Sequence, residues 1–204
     1  MKTNGNKRVK MQNNAIPFDV DAMSPLQPLL LCLESTLKAD AHEGGTWIRS
    51  EDGQRYRVLL EPLGKLLQAN VPSEFQVTSD ELKSVSAYEM LIEGVGTEDQ
   101  GNISQTVCAL AAAAGNEQLW KPLNYALLQA CGNDRRSEVR KTGVKSLLRI
   151  IKTLGEEYMV LLPECLPVLS ELLEDEDENI TALAKECVHQ GEELLGESLE
   201  ENLR

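Results

Sequence analysis

Aromatic side chains make up only 4% of this 204-residue chain, histidine occurs twice, and no two cysteines are spaced as CxxC. Scarce aromatics beside abundant Leu, Ala, Glu and Lys favour long unbranched side chains packing helix against helix. Without CxxC, the zinc-knuckle and thioredoxin-like readings have no support. Cys32, Cys108, Cys131, Cys165 and Cys187 form an odd set, and all but Cys131 fall within apolar helical patterns. They are expected to be small reduced core residues of an intracellular protein. Long apolar runs are also missing: the stretches around Leu29 to Leu33 and Val107 to Ala114 fall well short of the roughly 20 residues needed to span a bilayer. No charged, apolar, then small-residue sequence opens the chain, so neither a secretory leader nor a membrane span is expected. Basic residues are outnumbered, 20 against 33 acidic, for a net charge of -13. That field opposes polyanions over the surface as a whole, so any nucleic-acid contact must be local.

Residues 1–24 contain many Asn, Lys and Gln without helical periodicity, the composition of a flexible arm. The tetrad Lys7 to Lys10 within it reads either as a nuclear-import patch or, since basic tetrads are common by chance, as part of a solvated tail, which is the favoured reading. From Pro25 an apolar stripe begins at Leu26, Leu29, Leu30, Leu33 and Leu37, predicting a helix to about Ala39. A connector from Asp40 to Gly53, with three glycines and His42, breaks the period. Tyr56, Leu59, Leu60, Leu63, Leu66 and Leu67 resume it, with a kink expected at Pro62. Ser79 opens another helical pattern through Val85 to Ile92, Gly94 to Gly101 interrupts it, and Ile103 to Ala114 forms a helix of small residues. Residues 25–118 therefore read as irregular helical repeats.

The remainder, 119–204, carries an internal repeat of 41 residues. Pro122 matches Pro163, Asp134 matches Asp175, Val139 matches Ile180, Gly143 matches Ala184, Leu147 matches Val188 and Gly155 matches Gly196. Each unit reads as a first helix with an early proline, an Asp-containing turn, and a second helix closed by a glycine suited to a left-handed cap. Neither hairpin can bury its stripe alone, so stacking is required, and two helices in about 40 residues mark a HEAT-like α-solenoid. The fold class expected is all-α, with stacked antiparallel helical hairpins.

Leu119-Trp120-Lys121-Pro122-Leu123-Asn124-Tyr125, Glu138-Val139-Arg140, the run from Leu154 to Glu164, Glu171 to Glu176 and Leu195-Gly196-Glu197 carry a family resemblance. Together they resemble the C-terminal region of the large nucleolar HEAT-repeat proteins of the small-subunit processome. The resemblance implies a nucleolar scaffold in an early-assembling subcomplex that binds nascent pre-ribosomal RNA and supports its processing and transcription. It implies processome proteins and pre-ribosomal ribonucleoprotein as partners, with RNA contact indirect or local, and no membrane or small-molecule substrate. It also implies that the chain matches only the end of a much longer solenoid. The repeat by itself equally admits a cytoplasmic HEAT-like adaptor unrelated to ribosomes.

Catalytic constellations find little material. Cys187 and His189 stand two apart, which sends them to nearly opposite faces of a helix. Asp175, Asp177, Asn179 and Glu186 occupy four positions of a calcium-binding loop, but Ile180 stands where its sharp turn needs glycine. A polar turn whose carboxylates favour the next helix's N-terminus accounts for the same residues. Gly94, Gly96 and Gly101 do not make a nucleotide-binding loop. No enzyme activity and no cofactor are expected. One surface pattern stands out on this acidic chain: Arg136, Arg140, Lys141, Lys145, Arg149 and Lys152 recur every few residues and are expected to line one helical face. That stripe is the candidate partner-binding surface, for an acidic protein or a local phosphate run; otherwise it is an ordinary solvated face.

Overall fold

The computed structural model describes residues 26–68, 103–133 and 135–199. The arm over 1–24, the pattern from Ser79 to Ile92, the glycine-rich break after it and Asp134 lie outside the described residues. Among the described residues there are helices and no strands: α1 (Leu26–His42), α2 (Thr46–Gln68), α3 (Ile103–Ala114), α4 (Glu117–Cys131), α5 (Ser137–Leu154), a 3-10 turn (Gly155–Leu161), α6 (Leu162–Leu172) and α7 (Glu178–Leu195). They stack in two layers. One holds α1, α3, α5 and α7 side by side, and the other holds α2, α4 and the 3-10 turn with α6. This is an all-α HEAT-like solenoid; the sequence expected to hold two units of a 41-residue repeat forms α4, α5, α6 and α7.

Local chemistry sets where the helices begin. The Asn116 side chain accepts from Leu119 N at 3.0 Å, and the Asp177 carboxylate accepts from Asn179 N at 2.9 Å, each occupying a backbone donor of a first turn that no helical carbonyl reaches. Asp40 does the same for α2 although buried, accepting from Trp47 N at 2.8 Å and Ile48 N at 3.0 Å. Pro163 sits in the first turn of α6, where its missing N–H costs nothing.

Val139, Leu147, Ile180 and Val188 are all buried, as the repeat requires, in a single core that runs from Leu30 to Leu199. Gly143 shows why one unit has glycine where the other has alanine. A Cβ there would stand 2.8 Å from Cys131 N, so α5 approaches the end of α4 more closely than a methyl group allows.

Several expectations need correction. The backbone stays helical through Pro62, and the interruption falls at Ser50 to Gly53, where Glu51, Asp52 and Gly53 have positive φ. His42 is the last residue of α1 and not part of the connector. Gly196 adopts the left-handed cap, φ 71° and ψ 18°, whereas Gly155 has φ 58° and ψ -136° because the chain turns directly into a 3-10 segment there. Cys131 closes α4 fully buried, while Cys32 is exposed and Cys108 half-buried. Cys131, Cys165 and Cys187 are core thiols; burial pushes Cys165 up to about 12 and raises the other two as well.

Candidate partner-binding surface

The six basic residues of the stripe do not share one face. At about 100° per residue, Lys141, Lys145, Arg149 and Lys152 cluster on the side of α5 away from the core, while Arg140 lies about a quarter-turn from Lys141. Arg136 precedes the helix as its N-cap residue, exposed and without a capping side-chain bond.

Arg140 belongs to the packing. Its Nε and one terminal nitrogen donate to the two carboxylate oxygens of Asp175 at 2.7 and 3.0 Å, and its other nitrogen donates to the Asn133 carbonyl at 3.0 Å. The side chains are 17% and 6% exposed, so this two-pronged pair ties the turn of one unit to the turn of the next. The Arg140 guanidinium holds the Asp175 carboxyl below the ordinary aspartate range. Asp175 is thus neither a calcium ligand nor a solvated loop residue, and Ile180 beside it is wholly buried. The pairing was foreshadowed by the Asp at matching positions of both units, but nothing in the linear spacing joins it to an arginine 35 residues earlier.

The four remaining cations lie along the layer of α3, α5 and α7. Lys152 reaches Glu186 of α7 at 2.8 Å, with both side chains more than two-fifths exposed. The charge of Lys141 helps lower the Asp177 carboxyl at the start of α7, after the larger effect of that carboxylate's bonds to Asn179. Arg149 lies on the other side, near enough to Cys108 of α3 for its charge to be felt there. Lys141, Lys145 and Arg149 are half-buried and Lys152 is exposed, so the arrangement is a basic strip flanked by carboxylates on its α7 side. It offers charge and hydrogen-bond donors to a partner, and no nucleophile with a base.

The other candidates disperse. Cys187 is buried and His189 points outward to Glu193 at 3.3 Å. Among the described residues no group of three or more His, Cys, Asp or Glu side chains could hold a metal ion, and no helix is long and apolar enough to cross a membrane.

The Leu119 to Tyr125 segment proves to be a cross-layer tie. The Trp120 indole N–H donates to the Ala111 carbonyl of α3 at 2.8 Å, and the Tyr56 hydroxyl donates to the Leu119 carbonyl. Buried Asn124 accepts from the Tyr158 hydroxyl at 2.9 Å and the Cys165 thiol at 3.4 Å, and donates to Glu164 at 3.2 Å. The Trp120 and Tyr158 rings meet edge to face at 5.9 Å. Leu119, Trp120 and Asn124 thus have partners inside the fold, whereas Pro122 and Tyr125 of the same segment face solvent.

With that architecture in place, similarity to known proteins can be weighed. The chain is 29% identical across its whole length to an uncharacterised protein of Arabidopsis thaliana, of which it spans 8%. It is 37% identical over 46% of its length to HEAT repeat-containing protein 1 of Homo sapiens, spanning 4% of that protein. Over 64% of its length it is 33% identical to U3 small nucleolar RNA-associated protein 10 of Aspergillus terreus, again spanning 8%. The chain therefore covers less than a tenth of each of these relatives, one of which is named for HEAT repeats and one for U3 small nucleolar RNA, and none of the three names indicates an enzyme family. No family model and no solved structure matches the chain.

Proposed function

We propose that this chain is a non-enzymatic scaffold segment of a ribosome-biogenesis assembly, acting in the nucleolus on small-subunit ribosomal RNA processing. The observation that carries the reading is the similarity, over about two-thirds of the chain, to a protein named for its association with U3 small nucleolar RNA. A stacked-hairpin fold suits the role, since it presents long continuous surfaces without a catalytic cleft.

Lys141, Lys145, Arg149 and Lys152 are the docking strip, with Arg136 exposed ahead of the helix. The partner is an acidic protein surface of the assembly or a short run of RNA phosphates. At physiological salt, charges more than about 8 Å apart are largely screened, so the net charge of -13 does not cancel a local strip. Arg140 acts indirectly by fixing the turn on which Asp177 and the start of α7 sit.

The test is affinity purification of the tagged chain from cells, with co-purifying proteins and RNA identified, for wild type and Lys141→Glu/Lys145→Glu. Wild type should bring down small-subunit processing proteins and U3 RNA. The variant should bring down less, with a flatter dependence on salt, while melting at the wild-type temperature. A chain that stays in the cytoplasm and recovers no ribosomal component would instead be a general HEAT-like adaptor.

A further inference from the structure

Three neighbouring elements of the second layer each turn an apolar side chain to solvent. Val58 on α2 is 65% exposed, Tyr125 on α4 67%, and Val160 on the 3-10 turn 50%. Each has an exposed proline three or four residues away, Pro62, Pro122 and, in the first turn of α6, Pro163; on α2 and α4 that spacing puts the two on one side of the helix. The elements are adjacent: Tyr56 bonds to Leu119, and Asn124 bonds to Tyr158 and Glu164. The pairs therefore form a row across the layer that faces away from the basic strip. None of these side chains serves the core, whose share of the same helices is already filled by Tyr56, Leu63, Trp120, Leu127 and Leu161. Single exposed apolar residues are ordinary, but a row of them on successive stacked helices is the form of a protein contact.

The charge around the row identifies what fits it. Between Lys152 and Lys185 the chain has nine carboxylates and not one lysine or arginine. Of these, Glu156, Glu157 and Glu164 are exposed close in sequence to Val160 and Pro163, and Glu171 is exposed about two turns further along α6. The lysines nearest the row are each engaged by a carboxylate one turn earlier, Lys65 by Glu61 and Lys121 by Glu117, both at 2.7 Å. Arg57 is exposed next to Val58, so the negative field lies at the Tyr125 and Val160 end of the row, and that end selects a cationic partner and repels nucleic acid.

We propose that the outer face of α2, α4 and α6 docks a lysine- or arginine-rich amphipathic helix of another protein. The apolar side of that helix covers Tyr125 and Val160, and its basic flank meets Glu157, Glu164 and Glu171. Because the two charged faces lie on opposite layers, this partner and one on the α5 strip bind together, so the segment bridges a basic protein to an acidic or phosphate-bearing one.

Fluorescence anisotropy with a labelled model peptide of about 18 residues, leucine along one helical face and lysine along the other, tests this against a scrambled peptide of equal composition. The intact chain should bind the amphipathic peptide at least about tenfold more tightly than the scramble. Tyr125→Ser/Val160→Ser should weaken binding about tenfold, and Glu157→Lys/Glu171→Lys should weaken it and flatten its salt dependence. Glu193→Lys/Glu197→Lys, at the end of α7 and just past it, makes the same change in net charge outside the row and should leave affinity within about twofold, since exposed charges that do not touch the partner contribute little. Equal binding of the scramble, or equal loss in the α7 variant, would overturn the proposal, because attraction would then follow net charge alone. A wild-type dimer by sedimentation that Tyr125→Ser/Val160→Ser converts to monomer would also overturn it, giving the face to a second copy of the chain.

Discussion

Replacing Gly143 with alanine sets helix propensity against the spacing of α4 and α5. Alanine in place of a mid-helix glycine gains about 1 kcal/mol from restricted backbone freedom in the unfolded chain. The new Cβ would stand 2.8 Å from Cys131 N, 2.9 Å from its Sγ and 3.2 Å from Ala130 C. Two of those neighbours are backbone atoms, which cannot rotate away, so the end of α4 must shift against a packed core. Overpacking of this kind costs roughly 1–3 kcal/mol, leaving a net destabilisation of about 1 kcal/mol. Gly64 in α2 supplies the comparison, because its Cβ would meet only the Ala126 methyl at 3.7 Å, an ordinary contact. There the propensity gain stands unopposed, and Gly64→Ala should stabilise by up to about 1 kcal/mol. For a chain of this size each change moves the melting midpoint by about 2–4 °C, in opposite directions. Far-ultraviolet ellipticity followed against temperature and urea reads both, with an unchanged urea slope showing that the surface exposed on unfolding is the same. If Gly143→Ala also raised the midpoint, the close approach of the two helices would be wrong and with it the reason for glycine in that unit.

Leu147→Ala, at a fully buried site between stacked hairpins, should cost about 2–5 kcal/mol in urea unfolding. Tyr158→Phe removes the hydroxyl that donates to Asn124 and should cost about 1–3 kcal/mol by the same measurement, with no change in helical content. Arg140→Gln leaves Asp175 without its cation and should destabilise by roughly 3 kcal/mol at neutral pH. Because the Asp175 carboxyl is lowered in the folded chain, the pair's contribution is fully present above the unfolded aspartate value of about 3.9 and is lost as pH falls through the lower folded value. Wild type and Arg140→Gln should therefore converge in stability in acid and separate above about pH 4; a constant gap from pH 2 to 7 would mean that the ion pair is not what the arginine contributes.

The linear pattern determined the helices and their stacking because both follow from local regularities. A stripe at helical spacing has one buried side wherever it occurs, and two such stripes per 41 residues leave stacking as the way to cover them, so Val139, Leu147, Ile180 and Val188 were legible as core. Partners distant in sequence were not. Arg140 looks like its neighbours in the stripe, and only the return of the next turn against it, bringing Asp175 to 2.7 Å, separates a packing residue from Lys141 and Lys145. The same holds for Asn124, whose acceptor oxygen is claimed by Tyr158 and Cys165 from the following unit. The row of Val58, Tyr125 and Val160 has no common spacing along the chain, since its members sit on three different elements. Spacing along one helix says which residues share a side of it; which sides of several helices meet, and which are left to solvent, depends on their stacking, and that was decided by the tertiary structure alone.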